Sequence, residues 1–348
     1  MKAVCFGPQC ALEKQTVPLS RKTRAVSRAY CPKYCNCIRA GSVVSCRGGG
    51  LLEIPSQEGA LKSADKLYLQ DNKITEIRKG VFSRMRTLNY LWLNGNRIKT
   101  IENGAFEGLI QVFDFYLRDN LIERIPASTF IGADVPLTKR IYLQNNNLKS
   151  IESGAFHNMK ELKTIDLSNN RITHISQDAF KGLTNLQELY LYKNLLTSAC
   201  WVTGNAKSFQ SLEWFGIQSN RLKTLPTNLL GSLPSDINLN LEPNPLICDR
   251  VLKLIYDALM ARVNKRYMEY DLSSWSCENP QNPSHMIKVA DLSDDKLEAL
   301  ELAMEDATQP TKLQYSQASP RVGHSQSPLV MICTCTGVFG LLRWSIAS

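Results

Sequence analysis

The sequence lacks the residue patterns on which catalysis and metal binding usually depend. Its four histidines, His157, His174, His285 and His324, have no carboxylate or cysteine neighbours at the spacing of a metal site or a catalytic triad. The glycine run at 48–50 is not followed by the Lys-Ser/Thr pair of a phosphate-binding loop. We therefore expect no enzymatic activity and no cofactor.

Strong charge of one sign, glycosylation sequons and long apolar runs are also scarce. The net charge of +9 is spread over 348 residues, so a nucleic-acid partner is not indicated. The only Asn-X-Ser/Thr candidate, at Asn282, has proline in the middle position, and this absence of sequons counts mildly against secretion. The last apolar run, residues 329–342, would be about 21 Å long as a helix, against roughly 30 Å for a hydrocarbon core.

The two ends of the sequence leave several possibilities open. Residues 1–30 hold six Lys/Arg and one Glu around a short, interrupted apolar run, which makes a poor secretory signal. They are an atypical leader or an unstructured segment, the true first segment is missing from this sequence, or the protein is not secreted by the usual route. Residues 286–328 start with an acidic stretch that could form a short helix, become rich in Ser, Pro and Gln, and predict a stalk. The apolar tail 329–348 loosely fits a glycolipid-anchor signal, so membrane anchoring, a spanning helix and no membrane role all stay open.

The middle of the chain is a repeat. Two apolar residues separated by one position recur eight times, in steps of 24, 24, 26, 24, 24, 26 and 24 residues that begin at Leu67. An amphipathic helix repeats its apolar positions every three or four residues and would not hold this register. Three residues after the second apolar position each unit has an asparagine: Asn72, Asn96, Asn120, Asn146, Asn170, Asn194, Asn220 and Asn244.

This pattern predicts a solenoid. The Leu-x-Leu alternation turns both apolar side chains to one side of a short strand and their neighbours to the other. Stacked asparagines, which carry donors and an acceptor, can satisfy the backbone where each strand bends away. A second apolar column is expected on the return segments, at Phe82, Phe106, Phe130, Phe156, Phe180 and Leu230. We predict an α/β fold, a right-handed leucine-rich repeat solenoid (horseshoe) of about eight repeats over residues 66–241.

Four cysteines stand immediately before the repeats. Cys31, Cys35, Cys37 and Cys46 have the spacing C-x3-C-x-C-x8-C, which suits either two disulfides or a four-cysteine zinc site. A solenoid needs a cap at this position, since its first strand otherwise leaves an open edge. The position beside the repeats therefore favours disulfides.

The cysteine pattern and the repeats together resemble a known family. They are similar to extracellular leucine-rich repeat proteins with cysteine-rich caps, the group that includes slit proteins, Nogo receptors, Toll-like receptors and variable lymphocyte receptors. The resemblance implies an N-terminal cap over residues 31–65 with the pairs Cys31–Cys37 and Cys35–Cys46.

Residues 242–285 resemble the C-terminal cap of the same family, with two departures. Leu246 stands in the place of a tryptophan, and Arg250 stands in the place of the second of four cysteines. In the family pattern the first cysteine pairs with the third and the second with the fourth. The resemblance therefore implies a single bridge, Cys248–Cys277.

The strand residues that point away from the core are the candidates for ligand binding. Large amphipathic aromatics on a rigid surface are typical of protein recognition, although aromatics also brace neighbouring strands by stacking. The candidate set is Tyr68, Tyr90, Trp92, Tyr116, Arg118, Arg140, Tyr142, Tyr190, Tyr192 and Trp214.

We expect an extracellular or cell-surface protein that binds a protein ligand on its concave face. One alternative is a matrix protein that binds sulfated glycosaminoglycans through Arg262, Lys265 and Arg266. Another is an intracellular scaffold, in which the cap cysteines would be reduced.

Overall fold

The chain is described by a computed structural model over residues 31–38, 41–55, 59–127, 129–130, 137–261, 272 and 275–308, with side chains up to Leu302. Several sequence predictions lie outside these residues: the leader 1–30, the basic cluster Arg262, Lys265 and Arg266, the stalk beyond 308 and the tail 329–348.

The described chain is organised on one long sheet. Its strands are β1 (Asn36–Ile38), β2 (Val43–Ser45), β3 (Lys66–Tyr68), β4 (Glu76–Ile77), β5 (Tyr90–Trp92), β6 (Thr100–Ile101), β7 (Asp114–Tyr116), β8 (Arg140–Tyr142), β9 (Ser150–Ile151), β10 (Thr164–Asp166), β11 (His174–Ile175), β12 (Glu188–Tyr190), β13 (Trp214–Gly216), β14 (Asn238–Asn240), β15 (Ser276–Asn279) and β16 (Asn282–Lys288). Ten of them form a sheet in the order β1-β2-β3-β5-β7-β8-β10-β12-β13-β14. Only the β1–β2 pair in this sheet is antiparallel. Short parallel pairs, β4–β6 and β9–β11, lie on the return side.

Successive repeats pair position for position. Leu67 pairs with Leu91, and Leu91 with Phe115, so one 24-residue step is one turn of the solenoid. The 26-residue steps keep the same register, as in the pair Leu189 and Phe215, because the extra residues lie outside the strands. The predicted leucine-rich repeat solenoid is confirmed.

The asparagine after each strand ties its turn to the preceding one. Asn96 donates from Nδ2 to the carbonyls of Leu93 and Leu69, both at 2.9 Å, and its Oδ1 accepts from the amide of Ile74 at 3.1 Å. All eight asparagines are between 4% and 8% exposed. They satisfy the backbone at the bend, as the sequence predicts.

The residue before each asparagine has a left-handed backbone in seven of the eight units. We call these positions the left-handed column: Asp71, Gly95, Asp119, Asn145, Asn169, Lys193 and Ser219. Glycine, asparagine and aspartate adopt positive φ most readily. They occupy five of these seven positions.

Phenylalanines form a second apolar column on the return side. The rings of Phe82, Phe106, Phe130, Phe156 and Phe180 are buried, with successive centroids 5.9, 5.3, 6.2 and 5.9 Å apart. The expected member of unit seven, Leu230, is only half-buried, because it begins the short 3-10 turn Leu230–Ser232. The fully buried position is taken by Leu229, which is 1% exposed.

Unit six departs from the pattern of the other repeats. A short helix, α1 (Trp201–Gly204), brings Trp201 into the core, where it is 4% exposed. Its ring lies 5.6 Å from Phe180 and 5.9 Å from Phe215. An indole therefore fills the return-side core beside Phe180.

The N-terminal cap closes the sheet. Strand β2 pairs in parallel with β3, and β1 folds back on β2, so the first repeat has no open edge. The cysteines form the disulfides Cys31–Cys37 and Cys35–Cys46. These are the pairs that the resemblance implies, and they exclude a zinc site at these four thiols.

The C-terminal cap is a helix and a hairpin joined by one disulfide. Helix α2 (Arg250–Met260) begins after Asp249, whose carboxylate accepts a hydrogen bond from the amide of Leu252 at 2.7 Å. Strands β15 and β16 form the hairpin. The pair Cys248–Cys277 connects it to the end of the repeats, as the resemblance implies.

The predicted boundary between this cap and a stalk at residue 286 is corrected by the structure. Strand β16 continues to Lys288, and helix α3 (Asp294–Thr308) follows. Leu292 and Leu297 are each 2% exposed and join the apolar core. Arg250 of α2 contacts the carboxylate of Glu301 at 3.0 and 2.9 Å. Residues 286–308 therefore belong to the C-terminal cap.

Candidate recognition surface

The outward side of the ten-stranded sheet carries three columns of side chains, and we call this side the concave face. The leading column is Lys66, Tyr90, Asp114, Arg140, Thr164, Glu188, Trp214 and Asn238. The central column is Tyr68, Trp92, Tyr116, Tyr142, Asp166, Tyr190, Gly216 and Asn240. The trailing column, two residues further on, is Gln70, Asn94, Arg118, Gln144, Ser168, Tyr192, Gln218 and Glu242.

The first four aromatics of the central column form one continuous stack. The ring centroids of Tyr68 and Trp92 are 4.2 Å apart, those of Trp92 and Tyr116 are 5.5 Å apart, and those of Tyr116 and Tyr142 are 5.1 Å apart. The interplanar angles are 7°, 7° and 11°. Tyr90 joins the stack from the leading column, 5.6 Å from Trp92.

This stacking decides which part of each ring a ligand can meet. Trp92 has a tyrosine from each neighbouring strand over its ring, so its faces are occupied within the protein. All eight candidate aromatics are half-buried. The stack therefore offers ring edges and polar tips to a ligand, and aromatic edges carry partial positive charge.

Asp114 belongs to the candidate surface, and the sequence reasoning missed it. It is 1% exposed, and its carboxylate accepts hydrogen bonds from Nε and Nη2 of Arg140, both at 2.8 Å. The hydroxyl of Tyr116 donates to the same carboxylate at 3.3 Å. The signal was available, since residues 114 and 140 are opposite charges at the same position of adjacent units, and such cross-strand pairs attract.

The electrostatics of this group keep its hydrogen-bond donors protonated. The hydrogen bonds to Asp114 raise the pKa of Arg140. Burial, and then the charge of Asp114, raises the pKa of Tyr116. Burial likewise raises the pKa of Tyr142. These tyrosines are therefore neutral, donating hydroxyls at physiological pH.

The remaining candidates form a separate group. The centroid of Tyr190 lies 6.3 Å from that of Trp214 and 6.4 Å from that of Tyr192, at angles of 42° and 87°. Asp166 separates them from the stack, and its carboxylate accepts from the hydroxyl of Ser168 at 2.6 Å. Burial raises the pKa of Asp166, although the hydrogen bonds from Ser168 oppose the shift.

A depression of ≈ 500 Å³ lies at the N-terminal end of the concave face, beside the stack. Trp92, Arg118 and Asp119 line it together with Arg47, which comes from the N-terminal cap. The sequence reasoning identified Trp92 and Arg118 but gave no role to Arg47. Its contribution depends on the cap continuing the sheet.

Within the described part of the chain, no three His, Cys, Asp or Glu side chains are grouped so that they could share a metal ion. None of its helices is both long and apolar enough to cross a bilayer.

Comparison with known proteins agrees with the architecture. The family model for the leucine-rich repeat matches residues 62–122 and 136–196. The chain thus carries leucine-rich repeats, and its solenoid has a disulfide-bonded cap at each end. No curated protein sequence matches it significantly.

Two solved structures illustrate the likeness. Human 5T4 (Wnt-activated inhibitory factor 1, trophoblast glycoprotein) is 22% identical, with a TM-score of 0.60 over 77% of this chain and 98% of that one. The Drosophila Toll–Spätzle complex contains a chain that is 23% identical, with a TM-score of 0.51 over 60% of this chain and 28% of that one. At these identities the likeness shows the fold, and 429 solved chains share it.

Proposed function

We propose that this protein is an extracellular or cell-surface recognition protein that binds a protein ligand through its concave face. The observation that carries the proposal is the ordered stack from Tyr68 to Tyr142, half-buried on a rigid sheet. Amphipathic aromatics that are already fixed lose little side-chain entropy when a partner covers them. Such residues are enriched among those that dominate protein interfaces.

The disulfides support the proposed location. Three pairs close the two caps, and disulfides form and persist in oxidising compartments. A cytosolic scaffold would keep these thiols reduced. The intracellular alternative is therefore disfavoured by the cap chemistry.

Stacking sets the energy that each aromatic can contribute to binding. Covering a whole aromatic side chain removes about 150–250 Å² from water. The rings of this stack have already buried their faces against each other, so a ligand gains only the exposed edges. We expect about 1–2 kcal/mol per truncated ring, below the largest values at protein interfaces.

The stack also braces the sheet, so alanine substitutions alone do not test recognition. Tyr116→Ala removes ring contacts with both Trp92 and Tyr142 and should lower the melting temperature as well as the affinity. Tyr142→Phe keeps the stacked ring and removes only the hydroxyl. Arg118→Ala changes a side chain that is 49% exposed and lies outside the stack.

The experiment is a binding screen of the full chain against purified extracellular protein domains. Each ligand found is titrated against wild type, the Tyr142→Phe/Arg118→Ala double variant, and a His174→Ala control on the return-side strand β11. We expect at least about tenfold weaker binding for the double variant, equivalent to about 1.4 kcal/mol, with its melting temperature and the control unchanged. Ligands that bind all three proteins equally would place recognition elsewhere.

A further inference from the structure

Beside the depression on the concave face, one position of the left-handed column has no side chain. Gly95, with φ +68°, lies between Asp71 of the preceding unit and Asp119 of the following one. An ideal Cβ built on Gly95 would lie 2.5 Å from Asp71 Oδ1. The Asp71 carboxylate therefore points into the space that a side chain at position 95 would fill.

Further along the same column, that space is filled by carboxamides. Nδ2 of Asn145 donates to Asp119 Oδ1 at 2.6 Å. Nδ2 of Asn169 donates to Asn145 Oδ1, also at 2.6 Å. Each amide thus donates to the preceding unit, and that of Asn145 also accepts from the next. At Gly95 this ladder is interrupted.

The groups around the interruption carry no net charge. Arg47 Nε contacts Asp71 Oδ2 at 2.9 Å, and Arg118 Nε lies 3.7 Å from Asp119 Oδ2. Two guanidinium groups and two carboxylates balance, so any ion that enters is attracted by one pair of groups and repelled by the other. A neutral group with both a donor and an acceptor meets no such repulsion.

The hydrogen-bonding capacity of the site points the same way. Asp71 Oδ1 faces the space as an acceptor. Gln70 also lines the depression, although its Oε1 is buried. Arg47 uses its Nε on Asp71, and its side chain is 66% exposed, so its terminal N–H groups can still donate. A carboxamide supplies the donor and the acceptor that Asp71 and Arg47 require.

We infer that the depression over Gly95 takes an amide group of the protein partner, the side chain of an Asn or Gln residue, which completes the interrupted ladder. The inference rests on the proposed function and narrows it to one contact. A partner group cannot instead stack on the face of the Trp92 ring at this site, since Tyr68 and Tyr116 cover both faces.

Small probes test this without an identified partner. N-acetyl-asparagine methylamide is titrated into the full chain, and the indole N–H signal of Trp92 is followed by NMR. Because the chain has five tryptophans, this signal is assigned from its loss in Trp92→Phe. The matching alanine, arginine and glutamate derivatives are titrated in parallel. We expect a saturable shift with the asparagine probe and a smaller one with the alanine probe. Equal shifts with these two would assign the contact to a main-chain amide of the partner and would overturn the inference.

Gly95→Asn provides the matched variant. Asparagine accepts the left-handed backbone, and only the flexible end of Asp71 must move to admit it. The variant should fold, complete the ladder with its own carboxamide, and no longer show a shift of the Trp92 signal when the asparagine probe is added. The control Ser219→Asn adds the same group at φ +56° in the same column, and its Trp92 signal should still shift with the probe.

The inference is overturned if no probe shifts the signal, if the arginine or glutamate probe shifts it more, or if Gly95→Asn still responds. None of these outcomes bears on the proposed function, which has its own screen. If the inference is wrong and the proposed function is right, Gly95→Asn should leave the affinity for an identified protein ligand unchanged, whereas Arg118→Ala should still lower it.

Discussion

Replacing Asn170 with alanine is the sharpest test of how the repeats are held together. Asn170 Nδ2 donates to the carbonyls of Leu143 and Leu167, both at 3.0 Å. Its Oδ1 accepts from the amide of Leu148 at 3.0 Å. The residue is 8% exposed and lies in the middle of the array, so water cannot simply replace these partners.

The magnitude follows from what each partner loses. The two carbonyls keep second donors, Asn146 at 2.9 Å and Asn194 at 3.0 Å, so each loses one hydrogen bond worth about 0.5–1.5 kcal/mol net. The amide of Leu148 has no other acceptor among the described residues and is orphaned in the core, at about 1–3 kcal/mol. We expect a total loss of about 4 kcal/mol.

The assay is urea unfolding of the full chain followed by tryptophan fluorescence, together with amide hydrogen exchange. Exchange at Leu148 should accelerate more than exchange at the ends of the array, because the lost contacts are local. Asn169→Gly is the matched control: it removes the neighbouring exposed amide at a position with φ +51°, and should cost less than about 1 kcal/mol.

A second variant separates the donors from the acceptor. Asn170→Asp keeps an oxygen for the Leu148 amide but faces the two carbonyls with a carboxylate. Protonation would restore one donor, so the stability of this variant should rise as the pH falls. An unchanged midpoint for Asn170→Ala, or an equal cost for Asn169→Gly, would refute the account of the asparagine ladder.

Three further predictions concern single features. Replacing Cys248 and Cys277 by serine opens a bridge with a sequence separation of 29 and should cost between about 3 and 4 kcal/mol, measured by chemical unfolding. Burial raises the pKa of Asp166, so the folded state holds this proton more tightly than the unfolded chain does. Stability is therefore lost as the pH rises through the raised pKa, and Asp166→Asn should be more stable than wild type at neutral pH, with no gain at acidic pH where the carboxyl is protonated in both states. Lys193→Gly should raise the melting temperature, since Lys193 has φ +54°, and should add roughly 0.5–1 kcal/mol to the free energy of unfolding.

The repeat register, the roles of the asparagines and the buried apolar positions other than Leu230 could be read from the sequence alone. These properties were readable because a solenoid makes its contacts between neighbouring units, at a nearly constant separation along the chain. Leu67 therefore pairs with Leu91, 24 residues further on, and the same separation recurs through the array. The cysteine pairs followed from the resemblance of the caps to a known family.

The contacts that the concave side chains make with one another are known only from the tertiary structure. The sequence placed Tyr116 and Arg140 outward, but only their rotamers show that Trp92 and Tyr142 flank the tyrosine ring and that Asp114 holds the guanidinium.

The same is true of contacts that do not follow the repeat. From the sequence we expected no packing partner for residues 286–308, whereas Arg250 and Glu301 meet across 51 residues in the C-terminal cap. The depression over Gly95 depends on Arg47 of the N-terminal cap lying beside repeat residues. Periodicity carries no information about the Arg250–Glu301 contact, because it is made once, between segments whose separation along the chain is unrelated to the repeat length. Arg47 lies 24 residues before Asp71, but it belongs to the cap, where the repeat pattern of the sequence has not yet begun.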